Sequence, residues 1–112
     1  MNFVINEEKG ISIIEINLKR ATAENVKEFK EFLFNLIDEG QKQKLIIELT
    51  NVEFVDSSFL GAIVSGLKKV TAIKGDIKIL GLQPPVRAMF ELTRLYKVFE
   101  IFDNKQDVLN SF

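Results

Sequence analysis

The sequence predicts a single α/β domain over residues 1–112, with a mixed, mainly parallel sheet of about five strands and four helices. Segments of strand composition alternate along the chain with segments of helical periodicity, which is typical of parallel sheets with helical crossovers. With 112 residues, of which 46% are hydrophobic, the chain can bury one core but not two. No linker or internal repeat interrupts this pattern.

Five apolar segments predict the strands. Residues 3–5 and 11–16 flank Lys9-Gly10 and predict a hairpin. Residues 44–49 are dense in aliphatic side chains, as is typical of a strand that is covered on both faces, so we expect this strand at the centre. The remaining two predicted strands are residues 77–80 and 98–102.

Four amphipathic segments predict the helices. Each begins with a residue type that favours a helix N-terminus, either a capping side chain or a proline in the first turn. Glycine supplies a stop signal after each of the two longer helices. The predicted helices run from Thr22 to Gly40, from Asp56 to about Gly75, from Pro84 to Thr93, and from Asp103 or Asn104 to Asn110.

The chain contains no cysteine and no histidine. This excludes disulfides, Ser-His-Asp and Cys-His nucleophilic sites, and the usual zinc ligand sets. A small enzyme could still use Mg²⁺ bound by Asp56, Glu48 or Glu53, but Glu48 and Asp56 lie on opposite sides of a connector and no other motif converges with them. We therefore expect neither enzymatic activity nor a cofactor.

The charge pattern and the apolar runs restrict the partners. Fifteen basic and sixteen acidic residues give a formal charge of −1, which argues against nucleic acid as a direct partner because backbone binding needs a basic face. No apolar run approaches the ~18 residues that a membrane span requires, and the N-terminus lacks the features of a signal peptide. We expect a cytoplasmic protein without a membrane span.

Two serines, Ser57 and Ser58, lie where a predicted strand and connector open the second helix. The first N–H groups of a helix lack intrahelical partners and the helix dipole is positive there, which favours a phosphate by roughly 0.3–1 kcal/mol at an exposed site. Alternatively, Asp56 or Ser57 simply caps the helix. The sequence leaves both interpretations open, and they are compatible.

Three segments together resemble the STAS family, which includes sulphate-transporter domains and free-standing bacterial anti-sigma-factor antagonists. The signature lies in Ile46-Ile47-Glu48-Leu49, in residues 52–58 ending with Asp56-Ser57-Ser58, and in Leu60-Gly61. Thr22-Ala23-Glu24 and Pro85-Val86-Arg87 also fall where that family carries similar residues. The resemblance covers nearly the whole chain, and it implies the STAS fold.

The resemblance also implies a switch that works by partner exchange. In such antagonists the serine directly after the Asp, here Ser57, is phosphorylated by a partner that is both an anti-sigma factor and a serine kinase. The unphosphorylated antagonist binds this kinase and frees the sigma factor, the phosphorylated form dissociates, and a serine phosphatase resets it. An alternative is a STAS scaffold subunit of a sensor or transport complex, in which Ser57 only caps a helix.

Two departures from the family pattern concern the expected partner surface. Lys19 and Arg20 replace an acidic residue that many antagonists carry before the first helix, and Phe59 replaces a frequent glycine. Phe59 either packs inward or forms an exposed apolar anchor. Because successive β-α connections of a parallel sheet emerge at one edge, we expect both segments to form one surface. The predicted partner-binding residues are Lys19, Arg20, Thr22, Asp56, Ser57, Ser58 and Phe59.

Overall fold

The computed structural model describes all residues, 1–112, and contains seven strands and four α-helices. The strands are β1 (Phe3–Glu8), β2 (Ile11–Ile16), β3 (Arg20–Ala21), β4 (Lys44–Glu48), β5 (Phe54–Val55), β6 (Asp76–Leu80) and β7 (Ile101–Phe102). The helices are α1 (Val26–Asp38), α2 (Ser57–Ala72), α3 (Pro84–Leu92) and α4 (Lys105–Asn110). None of the helices is both long and apolar enough to cross a membrane.

The main sheet has five strands in the order β1-β2-β4-β6-β7. β1 and β2 form the predicted antiparallel hairpin, and all the other neighbours are parallel, so the predicted mixed, mainly parallel sheet is confirmed. β4 is central, as its aliphatic composition predicted. The sequence did not predict the second sheet, which consists only of β3 and β5 in parallel.

Helices cover one face of the main sheet more than the other. The larger core lies beneath α1, α2 and α3, and α1 approaches α2 closely at Gly66, where a Cβ atom would overlap the Leu33 side chain. On the opposite face, Val108 and Leu109 of α4 pack with a smaller cluster of apolar residues from the strands. Three of the four helices therefore lie over one face of the main sheet.

The last predicted strand is shorter than expected. Only Ile101–Phe102 pairs with β6, whereas the sequence predicted a strand over 98–102. The N–H groups of Val98 and Phe99 both donate to the Leu95 carbonyl oxygen, at 2.9 and 3.0 Å, and so close the turn formed by the 3₁₀ segment Leu95–Lys97. Because these donors belong to the turn, they are absent from the ladder of the sheet.

Candidate functional site

The segment before α1 and the segment before α2 lie side by side. β3 and β5 pair through Arg20 with Phe54 and through Ala21 with Val55. The Lys19 carbonyl oxygen also accepts hydrogen bonds from the N–H groups of Glu53 and Phe54. This adjacency is as predicted, although a short parallel ladder produces it. We call residues 19–24 and 53–58 the helix-start surface.

The Asp56 carboxylate joins the two halves of the helix-start surface. Its Oδ1 accepts from the Phe59 N–H at 2.9 Å, which caps α2. Its Oδ2 accepts from the Ala23 N–H, also at 2.9 Å, at the start of the 3₁₀ turn that leads into α1. One side chain thus satisfies a free N–H at each of two neighbouring helix starts.

Ser57 and Ser58 form the first turn of α2, and both residues are exposed. Neither hydroxyl takes part in a hydrogen bond within the protein, because the capping position belongs to Asp56. Of the two capping interpretations, the structure therefore selects Asp56. The Ser57 hydroxyl stays accessible beside the unpaired N–H groups of a 16-residue helix.

Thr22 also lies on the helix-start surface, but its polar groups are engaged locally. Its Oγ1 accepts from the Glu24 N–H at 3.4 Å, and its own N–H donates to Asn25 Oδ1 at 3.0 Å. This reciprocal arrangement is a capping box. It opens a 3₁₀ turn over Ala23–Asn25, so α1 itself begins at Val26 rather than directly after the predicted cap.

Lys19 and Arg20 supply the positive charge of this surface. Both side chains are exposed, and neither belongs to any of the five ion pairs of the structure. The Arg20 guanidinium carbon lies 4.4 Å from the centre of the Phe54 ring, a cation–π contact that holds the charge above β5. Lys19 lines a polar cleft of about 400 Å³ that also includes Glu53.

The expectation that Phe59 could serve as an exposed partner anchor is wrong. Phe59 is fully buried, and its ring centre lies 4.6 Å from that of Phe29 in α1. The reason is the spacing along α2, where Phe59, Ile63, Gly66 and Val70 are all buried at intervals of three or four residues. Phe59 is therefore a core residue directly beneath the helix-start surface.

Two of the three carboxylates considered for a magnesium site have other partners. Both oxygens of Asp56 accept N–H groups, and Glu48 Oε2 accepts from the Thr50 hydroxyl at 3.1 Å. Glu53 lies in the connector before β5. No group of three or more acidic side chains is placed to share a metal ion.

Comparison with known protein families gives a match to the STAS domain over residues 2–108. The chain belongs to the STAS domain family. The Asp56-Ser57-Ser58 start of α2 and its partner segment at β3 are thus parts of one STAS fold, as the sequence resemblance implied.

Relatives of this STAS domain include bacterial regulators. A protein named anti-sigma F factor antagonist from Paenibacillus polymyxa is 30% identical over 73 residues, which make up 65% of this chain and 62% of that protein, less than two thirds of its length.

Solved structures share the STAS fold over almost the whole chain. A STAS domain protein from Planctomyces limnophilus, described as an anti-sigma-factor antagonist, matches with a TM-score of 0.88 at 21% identity, covering 97% of this chain and 96% of the other. The phosphorylated form of the Bacillus cell fate determinant SpoIIAA matches with a TM-score of 0.75 at 16% identity, covering 97% of both chains.

Sequence reasoning did not include two contributors to the site. Phe54 supports Arg20, and the N–H of Ala23 binds Asp56. Strands of two residues are too short to show alternation, so β3 and β5 left no periodic signal. An aromatic residue three positions before Ser57 was the one visible indication for Phe54.

Proposed function

We propose that this STAS domain is an anti-sigma-factor antagonist that binds an anti-sigma factor with serine kinase activity and thereby releases a sigma factor. Phosphorylation of Ser57 ends this binding, and a serine phosphatase restores it. The names of the relatives support the general role of antagonist. We place the protein in the cytoplasm, where the kinase would have access to ATP and Mg²⁺.

The observation that carries this proposal is the free Ser57 hydroxyl. It is exposed and unbonded, and it directly follows a residue that already caps α2. A kinase could therefore modify Ser57 without removing the cap. The phosphate would meet the unpaired N–H groups at the start of α2, where negative charge is stabilised by roughly 0.3–1 kcal/mol at an exposed site.

Charge provides the switching mechanism. A phosphate adds about −1.5 to −2 charge. On the helix-start surface, that negative charge would offset the positive charges of Lys19 and Arg20, which have no ion-pair partner. An acidic patch on the partner, attracted to Lys19 and Arg20, would be repelled by a phosphate on Ser57 without any refolding.

Phosphate mapping provides the first test. We expect incubation with ATP and the serine kinases of its own organism to place one phosphate on Ser57, as read by mass spectrometry of proteolytic fragments. Ser57→Ala should remove the modification and retain kinase binding in calorimetry, since the lost hydroxyl makes no hydrogen bond within the fold.

Ser58→Ala is the matched control for this experiment, because Ser58 is equally exposed in the same helical turn. It should leave the phosphate in place. If only Ser58→Ala loses the phosphate, our assignment of the modification to Ser57 is wrong. Binding without phosphorylation by any kinase would instead favour the role of a STAS scaffold subunit.

Lys19→Glu tests the proposed acidic patch on the kinase. Exposed charges are screened over about 8–10 Å at physiological ionic strength, so Lys19 should act mainly on the rate of encounter. We expect slower association and a weaker dependence of that rate on salt, measured by stopped-flow fluorescence. Dissociation should change little.

The matched control for Lys19→Glu is Lys9→Glu, the same charge change at an exposed position of the β1–β2 turn. Lys9 precedes β2 and Lys19 follows it, so the two residues lie at opposite ends of this strand. Equal association rates for both variants would place the interface away from Lys19.

A further inference from the structure

The end of α3 and the turn that follows expose apolar side chains. Leu92, Tyr96 and Val98 are 79%, 48% and 53% exposed, and they make up three of the four large hydrophobic residues that the structure leaves exposed. Isolated exposed apolar residues are ordinary, but a concentration within seven residues is typical of an interaction surface. This surface shares no residue with the helix-start surface.

A cleft of about 550 Å³ opens beside these side chains. Tyr96 and Val98 line it together with Phe99, Ile101 and Phe102, and Phe99 is almost fully buried where its ring meets Phe90. The cleft therefore has an apolar floor and a mixed rim, in which Arg87, Lys97 and Glu100 lie beside the apolar side chains. We call residues 96–102 with Arg87 the β7 cleft.

The backbone of β7 offers hydrogen bonds in the same place. β7 is an edge strand, and Glu100 and Phe102 turn their carbonyl oxygens towards β6, where they accept from Ile79 and Gly81 at 3.0 and 2.8 Å. Because successive residues of a strand alternate between its two sides, the N–H and C=O of Ile101 face away from the sheet. An added strand could bind there.

The charges around the β7 cleft favour an acidic ligand. Arg87 is paired with Asp103 at 2.8 Å, and Glu100 lies 3.6 Å from Lys78. Lys97 lines the cleft, is exposed and belongs to none of the ion pairs, so its positive charge is left without a partner. A carboxylate on the ligand would complement this charge.

We propose that the β7 cleft binds an extended peptide segment of a partner protein, which adds to β7 as a strand and carries aliphatic side chains with at least one carboxylate. The aliphatic side chains lie against Tyr96 and Val98, and the carboxylate lies near Lys97. This docking site is independent of Ser57, so it is a second point of attachment beyond the proposed switch.

A phage-displayed library of random dodecapeptides, panned against the immobilised full chain, tests the proposal. We expect the enriched peptides to alternate aliphatic with acidic residues and to slow hydrogen exchange at the Ile101 amide. Val98→Glu should weaken their binding by about tenfold or more, as is typical when a central apolar contact is lost. Lys97→Glu should likewise weaken the binding of the acidic peptides.

Ala72→Glu is the control, since it adds the same charge at an exposed position at the end of α2. Val98 is half exposed, so its replacement should leave the thermal unfolding of the chain unchanged. Equal enrichment on wild type and Val98→Glu would overturn the proposal. A concentration-dependent dimer that Val98→Glu dissociates would also overturn it, because a second copy would then occupy the cleft.

Discussion

Phe59→Ala should lower the free energy of unfolding by about 3–5 kcal/mol, the usual range for removing a buried phenylalanine ring. Phe59 is fully buried, and its ring packs on Phe29, which in turn packs on Phe3. The variant would leave a cavity between α1, α2 and the sheet. Urea unfolding followed by circular dichroism measures the loss.

Phe54→Ala is the matched control, because Phe54 is only half buried and lies just before the same helix. It should cost clearly less stability than Phe59→Ala. If Phe59→Ala leaves stability within about 1 kcal/mol and abolishes kinase binding, Phe59 is a contact residue and its assignment to the core is wrong.

Asp56→Ala should lower the free energy of unfolding by about 2–3 kcal/mol, because two N–H groups lose a charged acceptor at once. The affected groups are the N–H of Phe59 in α2 and the N–H of Ala23 before α1. Asp56→Asn keeps a single acceptor oxygen, so we expect an intermediate loss. Urea titration at a single temperature gives the free energy of unfolding of both variants.

Asn104→Ala provides the comparison for an ordinary cap. The Asn104 side chain accepts only the Asp107 N–H, at 3.1 Å, at the start of α4. Its loss should cost about 1 kcal/mol, which is typical of a single cap. If Asp56→Ala costs no more than Asn104→Ala, the bond from Ala23 contributes nothing to stability.

Most of the principal elements of this fold were predictable because they are long enough to show a characteristic composition or period. The strands β1, β2, β4 and β6 and the three longer helices follow from the pattern of apolar residues. The starts of α2 and α4 follow from capping residue types, although the sequence left Asp56 or Ser57 and Asp103 or Asn104 open as the cap. β7 was predicted over 98–102, but only two of these residues pair with β6. β3 and β5 were not predictable, since two residues cannot show a period and their pairing depends on contacts distant in sequence.

The candidate site was predictable in position but not in detail. Parallel topology correctly placed Lys19 and Ser57 on adjacent segments. The burial of Phe59 depends on the rotation of α2 about its axis, and the composition of the first helical turn alone does not determine that rotation. Likewise, Asp56 and Ser57 are both good caps, and only side-chain geometry distinguishes them.

The bridge that Asp56 makes between the two helix starts has a consequence for the entropy of association. Interfaces usually lose about 0.5–1.5 kcal/mol for each flexible side chain that becomes ordered on binding. Here the Asp56 carboxylate and the backbone around it are already held by two hydrogen bonds during folding. Under the proposed function, the partner would therefore meet an Asp56 carboxylate and an adjoining backbone that are already ordered.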